Sequence, residues 1–306
     1  MYLGIDFGTS GARAIAIRSA EASEVLADCR YVFPSVPETQ LTELWQAALF
    51  DLLDRLPVEI RAQLQAIAIN GTSGTVLKCD RSGRPLAVPL LYNDKRAAGL
   101  VSELKDIAPA RSLALSASST LAKVLWLTRD EENLSDRLCL HQADWLASLL
   151  HGRAGVTDYH NCLKLGYDVA ALRYPDWMLD MAIAPVLPEV VAPGSDLGCV
   201  TPAIARQFRL PTNCIVRAGT TDSIAAFLAS GANEVGDGVT SLGSTLAIKL
   251  LSANRVEDAR YGIYSHRFGD RWLAGGASNT GGAVLKQFFS DVELRRLSKE
   301  IEGDRP

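Results

Sequence analysis

The sequence predicts an α/β fold in two halves. Three observations carry that prediction. Short apolar runs of strand length close on polar glycine turns. Amphipathic stretches with helical spacing lie between them. The strand–glycine turn–strand pattern that opens the chain returns after Cys214, a weak internal repeat suggesting two related domains with a cleft between them and a boundary near residue 230.

The elements follow in order. Tyr2–Ile5, Ala14–Ile17 and Glu24–Phe33 read as strands, the first two joined by a glycine hairpin. Leu41, Leu44, Trp45, Ala48, Leu49, Leu52 and Leu53 fall on one face of a helix. Ala66–Asn70 is a buried-strand run ending in Gly71-Thr72-Ser73-Gly74, and Thr75–Cys79 returns as a strand, so the sheet is mixed. Helical spacing resumes at Leu121–Leu127, capped by Ser119 or Thr120, and at Asp144–Leu150, stopped by Gly152. Arg173–Ala184 reads as a short helix before a loop marked by Pro185, Pro188, Pro193 and Gly194. In the second half, strand Cys214–Val216 runs through Gly219-Thr220-Thr221-Asp222 into a helix, Ser223–Ala232. Strands Val239–Leu242, Thr245–Leu251, Gly262–His266 and Trp272–Gly275 follow. The glycine-rich stretch Gly275–Gly282 then leads into a helix near Val284–Phe289.

Composition narrows the function. The chain has 306 residues, 22% of them charged and 48% hydrophobic, with a net charge of −4, as expected of a soluble globular protein. No basic tract invites nucleic acid or an anionic membrane, and no apolar run is long enough to span a bilayer. Asp6 interrupts any signal-peptide core, so a cytoplasmic location is expected. Six cysteines and four histidines show no metal-ligand spacing, which argues for reduced, mostly buried thiols and against a zinc or iron–sulfur site. No G-x-G-x-x-G follows a strand, which counts against a dehydrogenase.

The opening run MYLGIDFGTSGAR puts a carboxylate, Asp6, at a strand end beside a hairpin tip with two hydroxyls. Such a tip is an anion cradle, and the carboxylate beside it suits a hydrated magnesium ion; the plainer reading is an ordinary glycine turn with a solvated aspartate. Four polar glycine turns close strands in this way: Asp6–Gly11, Gly71–Gly74, Gly219–Asp222 and Ser241–Thr245. In open sheets, ligands bind where strand ends face a crevice.

With those turns, the motifs DFGTSGARA (6–14), AINGTSGT (68–75), LLYNDKR (90–96), TLAKVLWL (120–127), ADWLASLLHG (143–152), DYHNCLKLGYD (158–168), AGTTDSIAAF (218–227) and SLGSTLA (241–247) make the chain similar, in the same order and over essentially its whole length, to carbohydrate kinases of the FGGY family. Within that family it most resembles cyanobacterial and plastid kinases described as acting on D-ribulose or D-xylulose. The resemblance implies two actin-like (ribonuclease H-like) domains around a cleft, residues 1–229 binding sugar and 230–306 forming a partial nucleotide-binding domain. The family's adenine-binding glycine motif and final helix are expected beyond Pro306, so the second domain is incomplete.

The resemblance implies ATP-dependent phosphorylation of a ketopentose hydroxyl, with Mg2+. Asp222 is the general base and touches the sugar; its place before a helix also suits a cap, with Thr220 or Thr221 beside it, and the helix N-terminus should hold it ionised. Asp6 holds magnesium, and Thr9, Ser10 and Gly11 touch the transferred phosphoryl group. Gly243, Ser244 and Thr245 face the inner phosphates, or form a simple hairpin turn. Thr72 and Ser73 contact the sugar, or make a local turn bond. Asn93, Asp94 and Arg96 are weaker sugar candidates, and Gly275–Gly282 a weaker nucleotide one. Trp126 and Trp145 read as core, and Asp144 and Asp158 as structural. The competing readings are a catalytically weak sugar-binding or regulatory protein, which the missing adenine segment favours, and an actin-type nucleoside triphosphatase with no sugar acceptor.

Overall fold

The computed structural model describes residues 1–19, 24–110, 112–116, 119–242, 246–278 and 281–301. The chain divides into two compact units, Met1–Ala225 and Ala226–Pro306.

The strands of the first unit are β1 (Tyr2–Phe7), β2 (Gly11–Ile17), β3 (Val25–Val32), β4 (Ala66–Gly71), β5 (Val76–Asp80), β6 (Arg137–His141), β7 (Val156–Asp158), β8 (Glu189–Val191), β9 (Asp196–Cys199) and β10 (Ile215–Arg217). Its helices are α1 (Leu41–Arg55), α2 (Val58–Arg61), α3 (Leu100–Leu104), α4 (Thr120–Thr128), α5 (Gln142–His151), α6 (Tyr159–Cys162), α7 (Asp176–Leu179) and α8 (Pro202–Phe208), and α9 (Asp222–Ala229) starts in it. Six strands form one mixed sheet in the order β3-β2-β1-β4-β10-β9. The neighbours β1, β4 and β10 run parallel; β2 and β3 on one side and β9 on the other run antiparallel.

Burial explains the sheet. Leu3, Ile5 and Phe7 of β1 and Ala12, Ala14 and Ala16 of β2 alternate inward, as a pleat with one covered face requires. Helix α1 lays Leu44, Trp45, Ala48, Leu49, Leu52 and Leu53 into the same core, the face its spacing predicts; Leu41 is only half-buried. Trp45 meets Trp145 of α5 at a ring separation of 6.5 Å. Both predicted helix boundaries of the middle region hold. The Ser119 hydroxyl accepts the Ala122 amide at the start of α4, and Gly152 closes α5 in the left-handed region at φ 78°.

Two expectations fail. Arg173–Ala184 is not one helix: only Asp176–Leu179 is α-helical, with a separate turn at Ala184–Val186. Leu172 at φ 53°, the mutual backbone bonds of Arg173 and Asp168, and Pro175 break the segment up. The strand expected at Thr75–Cys79 exists as β5, but it leaves the main sheet and pairs with β6, which the sequence reading missed along with β7, β8, β9 and α8.

In the second unit, β11 (Gly238–Leu242), β12 (Leu246–Ser252), β13 (Tyr264–Phe268) and β14 (Arg271–Ser278) form an antiparallel sheet in the order β11-β12-β14-β13, followed by α10 (Gly282–Phe288) and α11 (Asp291–Leu297). Phe227, Leu251, Leu273 and Ala274 are its buried apolar side chains among the described residues, with Phe227 edge-on to Phe268. Among the described residues no helix is long and apolar enough to cross a membrane, and no three acidic, histidine or cysteine side chains gather to cage a metal.

Candidate active site

Parallel pairing brings three strand ends to one edge of the main sheet. In register, Asp6 of β1 lies opposite Asn70 of β4 and Phe7 opposite Gly71, while Gly71 bridges onward to Thr221. Asp6, Asn70 and the Thr221–Asp222 pair therefore stand in one row at the carboxyl ends of β1, β4 and β10. The row is close because two positions lack side chains. A Cβ on Gly219 would sit 1.7 Å from the Ile69 carbonyl oxygen, and one on Gly71 would meet Gln142 Oε1 at 2.9 Å.

Asp222 is the first residue of α9, not its cap. Its Oδ1 accepts the amide of the adjacent Ser223 at 2.7 Å, and the Ser73 amide in the turn after β4 lies near enough to favour its ionised form. Burial raises its pKa above the usual carboxylate range, and the charge of Asp6 adds to that; the two amides and Lys164 oppose it. Desolvation is thus the largest influence on Asp222, and the amides at the start of α9 and in the turn after β4 work against it, in favour of the ionised form. Asp6, whose Oδ1 accepts a 2.6 Å hydrogen bond from Asn70 Nδ2, is likewise raised, by burial first, against the pull of Asn70 and Arg13.

The hairpin beside Asp6 is tight. The Gly8 amide donates to Gly11 O at 3.0 Å, leaving Thr9 and Ser10 exposed at the tip. The Ser10 carbonyl accepts the Phe33 amide at 3.0 Å, and β3 passes so near that a Cβ on Gly11 would lie 2.4 Å from Tyr31 O. Two exposed hydroxyls on a pinned turn are suited to phosphate oxygens.

The turn after β4 faces two ways. Ser73 has its amide near Asp222, while Thr72 lines a cavity of about 340 Å³ together with Gly8 and Thr9 of the hairpin, Trp45, Asn93 and Gln142. The Thr72 hydroxyl is already engaged: it donates to Gln142 Oε1 (3.1 Å) and meets the Thr75 hydroxyl at 2.6 Å. The Ser73 side chain is half-buried. Asn93 reaches the cavity; Asp94 and Arg96 are paired with each other, and Arg96 also bonds Glu38 at 2.9 Å.

Behind α9 lies a buried polar network. The Asp158 carboxylate accepts the His160 and Asn161 amides and Asn161 Nδ2, and its pKa is raised by burial and by Asp144. His160 Nδ1 shares a 2.7 Å hydrogen bond with the Thr220 hydroxyl, two residues before Asp222. Asp144 closes a capping box with His141 on α5, a structural role like that of Asp158 as cap of α6. Trp145 is core; Trp126 is not, being half-buried with the Arg129 guanidinium 3.9 Å from its ring centre and that of Arg96 at 5.4 Å on the ring. Gly243, Ser244 and Thr245 lie outside the described residues. Gly275 and Gly276 are strand residues of β14.

Sequence reasoning missed Asn70, Gln142, Lys123 and Lys164. Asn70, Lys123 and Lys164 lie within the family-like motifs and Gln142 just before one, but none has a local signal; what marks them is which strand, turn or carboxylate they meet in space.

This edge of parallel strand ends is the arrangement of a known fold. Residues 1–229 match the N-terminal domain of the FGGY family of carbohydrate kinases, and the chain belongs to that family. It is 26% identical over 259 residues to a xylulose kinase of Lactococcus lactis, covering 79% of this chain and 52% of that protein. It is 21% identical over 322 residues to a gluconokinase of Bacillus subtilis, covering 98% and 61% respectively. The crystal structure of a xyloylose kinase from Brucella ovis superposes with a TM-score of 0.85 at 21% identity, over 100% of this chain and 66% of that one. The chain thus spans between half and two thirds of the length of these relatives.

Proposed function

We propose that this chain takes part in the ATP-dependent phosphorylation of a ketopentose, D-xylulose or D-ribulose, with residues 1–229 binding the sugar and residues 230–306 belonging to the nucleotide-binding domain. The observation that carries this reading is the row Asp6, Asn70 and Asp222 beside a pinned, hydroxyl-tipped hairpin and a sugar-sized cavity. Likeness to a xylulose kinase supports the ketopentose over the hexonate of the gluconokinase relative.

In this reading the sugar lies against Thr72, Ser73 and Asn93. The Ser223 amide holds one oxygen of the Asp222 carboxylate and the Ser73 amide lies beside it, so an acceptor hydroxyl meets a positioned proton acceptor. As the hydroxyl oxygen bonds to the γ-phosphorus and the bond to ADP breaks, the hydroxyl proton passes to Asp222. The raised pKa of Asp222 brings its basicity nearer to working pH. Thr9, Ser10 and Gly11 receive the phosphoryl oxygens, and Gly243, Ser244 and Thr245 the inner phosphates. Asp6 offers a single carboxylate with one oxygen engaged by Asn70. That donor set fits a Mg2+ ion that keeps most of its water and phosphate ligands, not an all-protein cage. Such an ion would neutralise charge between the phosphates. The free thiols suit a cytoplasmic setting.

The test combines binding with turnover. Calorimetry should detect D-xylulose or D-ribulose binding in preference to D-gluconate. Acceptor-dependent ADP release should fall by on the order of 10²–10⁴ in Asp222→Asn, while sugar-independent hydrolysis falls less. An Asp222→Asn variant that phosphorylates sugar at nearly the original rate would refute the base assignment. Sugar-independent ADP release alone would favour the plain triphosphatase.

A further inference from the structure

One buried charge in the first unit has no part in the chemistry above. Lys123, on α4, is 2% exposed, yet its ammonium ends on three main-chain carbonyls: Gly74 O at 2.8 Å, Leu91 O at 2.7 Å and Tyr92 O at 3.1 Å. An ammonium has three N–H donors, and here each has an acceptor. The acceptors belong to two different segments. Gly74 ends the turn that carries Thr72 and Ser73; Leu91 and Tyr92 begin the loop that carries Asn93.

A second tie joins the same segments. The Tyr92 amide donates to Thr75 Oγ1 at 3.1 Å. Since Thr72 Oγ1 donates to Gln142 Oε1, the Thr75 hydroxyl must donate to Thr72, 2.6 Å away. The Thr72 amide also donates to Gln142 Oε1, which fixes which end of that side-chain amide faces inward. The result is a one-way chain, Tyr92 N–H to Thr75 to Thr72 to Gln142, running beside the Lys123 tripod. Below it, Val76 and Leu90 exchange backbone bonds at 3.0 and 2.9 Å and anchor both segments to β5.

We propose that Lys123 is the positioning residue of the acceptor site: its ammonium binds the turn 72–74 to the loop 91–93, so that Ser73 and Asn93 stand at a fixed separation on either side of the sugar. The inference deepens the acceptor reading above and rests on it. No neutral side chain supplies three donors from one point, and the planar fork of arginine cannot reproduce a tripod. The charge is held in a setting that makes it easy to lose. Burial and the charge of Lys164 lower the Lys123 pKa to about 8, against the pull of Asp94, whose carboxylate is itself bound by Arg96. A neutral amine has two N–H donors for three carbonyls, so the clamp should loosen as pH passes through that value.

The experiment uses the 306-residue chain with D-xylulose, D-ribulose and D-gluconate as probes. Calorimetry at pH 7 should show Kd for the bound sugar raised roughly ten- to a hundredfold in Lys123→Met. Hydrogen exchange should accelerate at the Thr72 and Tyr92 amides while those of β1 and β4 keep their protection, a pattern that general destabilisation would not give. If Lys123→Met does not fold, the wild-type chain decides: Kd should rise several-fold from pH 7 to 9.5, and Lys164→Met should keep that dependence. Sugar bound equally well by wild type and Lys123→Met, or a wild-type Kd flat across that pH range, overturns the inference while leaving the acceptor reading intact. Binding of no probe by the wild type overturns the acceptor reading, and the inference with it.

Discussion

Asp222 is held at the expense of the fold. Its half-buried carboxylate is partly desolvated and feels the charge of a second carboxylate, Asp6, while the Ser223 and Ser73 amides and the charge of Lys164 favour its ionised form. For an acid whose folded pKa is raised, the sign is fixed: the folded state holds the proton more tightly than the unfolded state. The stabilisation is therefore fully present below about pH 4 and is lost as pH rises through the folded value. Asparagine keeps the acceptor oxygen and drops the charge. Asp222→Asn should thus be at least as stable as wild type at pH 7, with the gap between them opening above about pH 4 and levelling at neutral pH. Thermal unfolding across pH 4–8 measures it, and a melting temperature that falls in Asp222→Asn at pH 7 would show that the carboxylate stabilises the fold.

At the scale of elements, the site depends on how nearly β4 and the segment after β10 can approach. Gly219 allows that approach, since the Cβ of any side chain there would run into the Ile69 carbonyl, a backbone group with no flexible end to yield. Gly219→Ala should destabilise the chain by about 3 kcal/mol or more and, where it still folds, separate Ser73 from Asp222. Denaturant unfolding gives the first quantity; loss of protection at the Ser73 amide reports the second. A variant as stable as wild type would show that the strand ends can part without harm. Hairpin β1–β2 is built on the same logic, with Gly11 in the place where β3 passes closest.

Over the whole molecule, the two units differ in how much they bury. The first has one continuous core running from Leu3 and Phe7 through α1 and α5 to Val216. In the second, among the described residues, Leu242, Ile248, Leu250 and Phe288 are exposed, and few large side chains are buried. Stability follows buried apolar area, so scanning calorimetry should resolve two transitions with the second unit melting first. A saturating ketopentose should raise only the upper one; at a hundred times Kd the gain is about 2.7 kcal/mol. A sugar shift confined to the lower transition would place the acceptor in the second unit.

The local chemistry of the sequence determined much of this. Glycine turns, helix caps and apolar spacing depend on neighbours in the chain, so the β1–β2 hairpin, α1, the Ser119 cap and the Gly152 stop were legible, as were Asp6, Thr9, Ser73 and Asp222 as polar groups at strand ends. Those same rules misread Arg173–Ala184, where Leu172 and Pro175 interrupt a helical pattern, and Trp126, whose helical spacing gave no sign of the two guanidinium groups on its ring. Only the tertiary structure decided that β5 leaves the main sheet for β6, that three parallel strand ends line up Asp6, Asn70 and Asp222, and that Lys123 joins two loops. The physical reason is range. A turn or a cap is settled within a few residues, whereas a desolvated carboxylate and a three-carbonyl ammonium site are created by distant partners, from 31 positions apart for Tyr92 on Lys123 to 216 for Asp6 on Asp222.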